Sequence, residues 1–101
     1  MPLQTIFHGI NRSPAVEAAA NAKFEALRKF DNRIDSCKVT VTQEGHQTMG
    51  PFSIRVDVMS SGHDIFANAT NHDVMQALSE AFDTVRRSVV DAADRRRTMQ
   101  R

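Results

Sequence analysis

The chain has 101 residues, 41% of them hydrophobic and 25% charged, with a formal net charge of +1 and one cysteine, Cys37. That length suits a single domain able to bury roughly two thirds of its unfolded surface without help from a metal or disulfide. A lone cysteine excludes an internal bridge and a cysteine-rich zinc site, which points to a reducing, cytoplasmic setting, and no leader or apolar run long enough to span a membrane is visible.

Leu3, Thr5 and Phe7 alternate with Gln4, Ile6 and His8, which predicts a first strand with apolar residues on both faces, and Gly9 to Arg12 turn the chain. Ser13 and Pro14 open a helix. The serine hydroxyl accepts from an orphan amide, proline suits the first helical position, and Glu17 complements the dipole. This helix is predicted to end near Phe30, with Val16, Ala20, Phe24 and Leu27 as its buried stripe and Glu25 and Lys29 on its wet side.

From Ile34 the period becomes two: Cys37, Val39 and Val41 point one way, and Lys38, Thr40 and Thr42 the other. The stretch from Glu44 to Pro51 reads as a loop, and Phe52, Ile54, Val56 and Val58 then mark a third strand. Ser60-Ser61-Gly62 supplies a tight reversal into a fourth strand, Ile65 to Ala69. Asn71 is expected to cap a second helix whose buried stripe is Val74, Leu78, Phe82, Val85 and Val89.

The order β-α-β-β-β-α specifies an α+β fold, a two-layer sandwich in which two helices pack on one face of a four-stranded sheet. Strands two to four form an antiparallel meander, and a right-handed crossover through the first helix makes strand one parallel to a neighbour. Lys38, Thr40, Thr42, Arg55 and Asp57 should face solvent on the far side of the sheet. Residues 1–94 are expected to form one domain, and 95–101 a basic tail that frays.

Charge is unevenly divided. From Arg86 to Arg101 there are six arginines against Asp91 and Asp94, a balance of +4, and the first 85 residues balance to −3. A cationic end on a weakly acidic body favours contact with a polyanion. Nothing points to catalysis. Asp31, Asp35, Asp57 and Asp64 make no recognisable acid and base pair, Ser60 and Ser61 are turn residues, and Cys37 belongs to a strand face with no obvious base beside it. His8, His46, His63 and His72 lack ligand spacing, so neither metal nor cofactor is expected, and the four glycines form no phosphate loop. Phe24, Phe30, Phe52, Phe66 and Phe82 fall largely in the predicted core, and with no tryptophan or tyrosine the sequence offers little for stacking bases. Recognition is expected to be ionic and by shape.

Two segments carry a resemblance: Ala22-Lys23-Phe24-Glu25-Ala26-Leu27-Arg28-Lys29-Phe30 followed by Arg33-Ile34, and Gly62-His63-Asp64-Ile65-Phe66-Ala67-Asn68-Ala69 followed by Asp73 and Ala77. In order and spacing they resemble the ribosome hibernation promoting factors, also described as ribosome-associated inhibitors or sigma-factor modulation proteins. The resemblance implies a stress-responsive, non-enzymatic protein that occupies the decoding region of the small ribosomal subunit, overlapping the mRNA and tRNA paths, and blocks translation by occlusion. Its partners are then the small subunit and its rRNA, with no membrane and no small-molecule substrate, and the free protein is expected to be a monomer. The fold is similar to double-stranded RNA-binding domains, which read shape and phosphate more than sequence.

By the same resemblance Lys23, Lys29, Arg33 and Arg87 look like the family's basic surface, with Arg28 and Arg86 as neighbours and Arg95, Arg96 and Arg97 adding charge from the tail. Ala26, Thr84 and Asp91 stand where relatives are often basic, and Met75 where tyrosine is common. The chain ends where longer members continue into a ribosome-pairing domain, so the likeness is to the short form. A reading of another class is a protein-interaction module that pairs through an edge strand or the open sheet face.

Overall fold

The computed structural model describes residues 3–43, 50–60 and 62–99, with side chains through Asp91. Six elements follow in the expected order: β1 (Leu3–His8), α1 (Pro14–Phe30), β2 (Ile34–Gln43), β3 (Phe52–Ser60), β4 (His63–Asn71) and α2 (Val74–Met99). The strands lie side by side as β1-β2-β3-β4. β1 runs parallel to β2, with Leu3 opposite Cys37 and Phe7 opposite Val41, and the other neighbours are antiparallel. Most of the predicted loop, residues 44–49, and the last two residues of the predicted tail lie outside the described residues.

Alternation decides which face is dry. Cys37, Val39, Val41, Ile54, Val56, Val58 and Ala67 all point to one side and are buried, and the two helices cover them. α1 lies on β1 and β2, α2 on β3 and β4. Val16, Ala20, Phe24 and Leu27 of α1 are buried as their spacing requires, as are Leu78, Phe82, Val85 and Val89 of α2, and Val74 packs half-buried at the margin. On the opposite face Lys38 and Arg55 are exposed and Thr40, Thr42 and Asp57 are partly exposed.

The helix ends follow their capping residues. Ser13 Oγ accepts from Val16 N at 3.3 Å and Pro14 takes the first helical position. The start of α2 departs from the sequence expectation. Asn71 still pairs with Phe52 in the ladder, and its Oδ1 accepts from Asp73 N at 2.9 Å. Asp73 is the cap instead: its Oδ1 accepts from Met75 N at 3.0 Å and Gln76 N at 3.4 Å, and its carbonyl accepts from Ala77 N. Both residues have capping chemistry, and the strand ladder claims the first. Asp73→Ala is expected to cost about 1 kcal/mol, lowering the melting temperature by roughly 4–8 °C. A thermal melt followed by circular dichroism checks it, and an unchanged melt would contradict the cap.

The reversal between β3 and β4 falls where the sequence predicts it, and the last helix runs further than expected. Ser60 faces His63 across the β3–β4 turn, and Gly62 takes a φ of +79°, a left-handed conformation that glycine adopts at little steric cost. α2 continues through Met99, five residues past the expected fraying point.

Candidate functional site

Helical geometry places a second stripe beside each buried one. On α1, Lys23, Ala26 and Phe30 follow at steps of three and four along one flank of the Phe24 and Leu27 stripe; on α2, Arg86 stands one turn after the buried Phe82, at the edge of that helix's stripe. These flanks face each other across a groove of about 440 Å³ lined by Lys23, Ala26, Leu27, Lys29, Phe30, Phe82, Asp83 and Arg86. A smaller depression continues along α2 between Asp83, Arg86, Arg87 and Val90.

The groove gathers most of the cations that form no ion pair among the described residues; Lys38, also without one, lies on the open face of the sheet. Among the described residues, Arg12, Arg28, Arg33 and Arg55 are each ion-paired, with Glu17, Glu25, Asp31 and Asp57 respectively. Lys23, Lys29, Arg86 and Arg87 make no ion pair among the described residues, and Lys29, Arg86 and Arg87 are exposed. A cation left without a local carboxylate keeps its full attraction for an incoming anion.

The nine basic residues singled out from the sequence therefore divide. Lys23, Lys29 and Arg86 meet in the groove and Arg87 lies next to it. Arg28 is roughly 140° around α1 from Lys23 at about 100° per residue; it lies 3.9 Å from Glu25 and its guanidinium sits over Phe24. Arg33, in the turn before β2, is held by Asp31, whose Oδ1 accepts from its backbone N at 3.0 Å and its Nε at 3.3 Å. Arg95, Arg96 and Arg97 fall on the last turns of α2, and their side chains lie outside the described residues. At the other positions marked by the sequence, Ala26 lines the groove, the Thr84 hydroxyl donates to the Glu80 carbonyl at 3.0 Å, and Asp91 is exposed.

Sequence reasoning missed Asp83 and misplaced two phenylalanines. Asp83 is the one acidic residue lining the groove, and its spacing of three and four from Arg86 and Arg87 was the available signal. Phe30 is 50% exposed and Phe66 is 53% exposed, so neither belongs to the core. Phe66 points away from the helices because its neighbours Ile65 and Ala67 point toward them. There it packs under Arg55, whose guanidinium carbon lies 4.4 Å from the ring centroid and whose Nε donates to both Asp57 oxygens.

Cys37 is 3% exposed, and burial, helped by the nearby Asp57 charge, pushes its thiol up to about 12. The thiol is neutral in the fold while an unfolded thiol ionises near 9, so folding stability should fall as pH rises from about 9 toward 12. Cys37→Ala is expected to lack that part of the decline in pH-dependent denaturation. A thiol reagent at neutral pH that labels the native protein as fast as the unfolded chain would contradict the burial. Among the described residues no group of three His, Cys, Asp or Glu side chains gathers to hold a metal, and no helix is long and apolar enough to cross a membrane.

Three comparisons bear on this geometry. The family model described as sigma 54 modulation protein / S30EA ribosomal protein matches residues 3–97. No curated protein sequence matches the chain. The fold is similar to that of a ribosomal subunit interface protein from Coxiella burnetii, at 15% identity over 93% of this chain and 99% of the other, with a TM-score of 0.81. It is also similar to the N-terminal domain of Protein Y from Thermus thermophilus, at 16% identity over 88% of this chain and 96% of the other, with a TM-score of 0.75.

Proposed function

Because the chain belongs to the sigma 54 modulation protein / S30EA ribosomal protein family, a family of ribosome-associated proteins, we propose that it blocks translation by seating the α1–α2 groove on small-subunit rRNA in the decoding region. One observation supports the reading most directly: of the five cations without an ion pair among the described residues, Lys23, Lys29 and Arg86 line a single groove and Arg87 borders it, with Lys38 on the open sheet face as the exception, whereas the four paired ones lie elsewhere. Lys23, Lys29 and Arg86 then meet phosphates, Arg87 extends the contact along α2, and the folded body occludes mRNA and tRNA. No bond is made or broken. Induction under stress and a monomeric free state belong to the same proposal.

Phosphate contacts release counterions, so binding should weaken steeply with salt. The test is co-sedimentation of the purified chain with small subunits across a salt series, with inhibition of a translation extract measured in parallel. Absence of pelleting at low salt sinks the reading. If light scattering then shows a dimer, the open sheet face is favoured instead, where Phe66 and Met59 are exposed.

Asp83 works against this contact. A like charge about 4 Å from a phosphate costs roughly 1 kcal/mol in water. Asp83→Asn is therefore expected to tighten small-subunit binding about fivefold at low salt, with the gain shrinking as salt rises. A binding titration showing no gain would place the carboxylate away from the RNA.

A further inference from the structure

Charge alone leaves Phe30 unexplained. The residue closes α1 directly before Asp31, and half of its surface stays open although Leu27 and Phe24, on the preceding turns, are buried. It lies inside the cationic groove, between Lys29 and the Arg86 guanidinium, whose carbon is 5.5 Å from the ring centroid. A phosphate backbone gains nothing from a phenyl ring. A nucleobase does, because its flat π-face stacks on aromatic rings and on guanidinium planes alike.

We infer that Phe30, flanked by the face of the Arg86 guanidinium, forms a cradle for one unpaired nucleobase, with Lys23, Lys29 and the N–H edge of Arg86 placed for the phosphates around it. The groove, about 440 Å³, falls within the roughly 300–1,000 Å³ typical of sites that enclose small ligands. The bases of a continuous duplex are stacked on one another, so the ring selects single-stranded or looped RNA over paired RNA. An acidic peptide would satisfy the cations and leave the ring idle. The inference rests on the ribosome-binding reading and adds to it a preference for an unpaired base.

The chain contains no tryptophan or tyrosine, so Phe30→Trp introduces a sole reporter at the cradle itself. Its emission should be quenched by small subunits and by a single-stranded oligonucleotide, and left unquenched by the matching duplex and by polyglutamate. In a second variant, Phe30→Leu, the exposed position stays apolar but loses its stacking face. Small-subunit affinity should fall about 5- to 150-fold with an unchanged salt slope and an unchanged thermal melt. Pelleting of Phe30→Trp without quenching, equal quenching by duplex or polyglutamate, or wild-type affinity of Phe30→Leu would overturn the cradle while leaving ribosome binding intact. Failure of the unaltered chain to pellet with small subunits at low salt would overturn both.

Discussion

Replacing Lys23, Lys29 and Arg86 together by glutamate is expected to lower small-subunit affinity at least about 100-fold at 0.1 M salt. On a single-stranded backbone each phosphate contact changes the slope of log affinity against log salt by about 0.7, so losing three contacts removes roughly two decades at that concentration. Charge reversal adds repulsion to this loss, and the slope itself should fall by about 2. The three side chains line the groove rim, with Lys29 and Arg86 exposed, so the fold should tolerate the change. Reversing Arg12 and Lys38, which lie outside the groove, should leave the slope nearly unchanged. A triple variant that pellets like wild type, with the same slope, would refute the site even if the chain binds ribosomes.

The contrast between those cations and Arg28 or Arg33 shows where sequence reading stops. Periodicity identifies the core well: Val39, Val41, Ile54, Val56 and Val58 alternate, they are all fully buried, and they locate the covered face of the sheet. Which basic residues converge is a different question, because it depends on how two helices from distant parts of the chain lie beside each other. Lys23 and Arg86 are 63 positions apart and meet only through the sheet that carries both helices. Local pairing was in principle legible. Glu25 three residues before Arg28, and Asp31 two before Arg33, are short-range partners that withdraw those arginines from the groove.

The two exposed phenylalanines and the cap of α2 depart from the sequence reading for related reasons. Phe66 could have been turned outward from the sequence, since Ile65 and Ala67 fix the parity of β4. Phe30 could not, because three residues after Leu27 is an apolar position on any helix, and its exposure comes from lying at the end of α1 on the flank facing α2. Asn71 and Asp73 are chemically equivalent candidates for a cap, and only the extent of the β3–β4 ladder separates them.

Burial makes Phe24 and Phe30, two residues of one type six positions apart, separable by experiment. Phe24 is fully buried at the centre of the α1 stripe, so Phe24→Ala loses the transfer energy of the ring and leaves a cavity, together about 3–5 kcal/mol. Native domains are stable by only roughly 5–15 kcal/mol, so this single change removes about a fifth or more of the margin. At about 5 °C per kcal/mol for a domain of this size, the melting temperature should drop by roughly 15–25 °C. Phe30→Ala, half exposed already, should move it by only a few degrees. In binding the order reverses: below its melting temperature Phe24→Ala should pellet with small subunits nearly as wild type, and Phe30→Ala should not. A Phe24→Ala melt within 5 °C of wild type would mean that α1 is not packed on the sheet through this ring, and the groove that depends on that packing would lose its geometry.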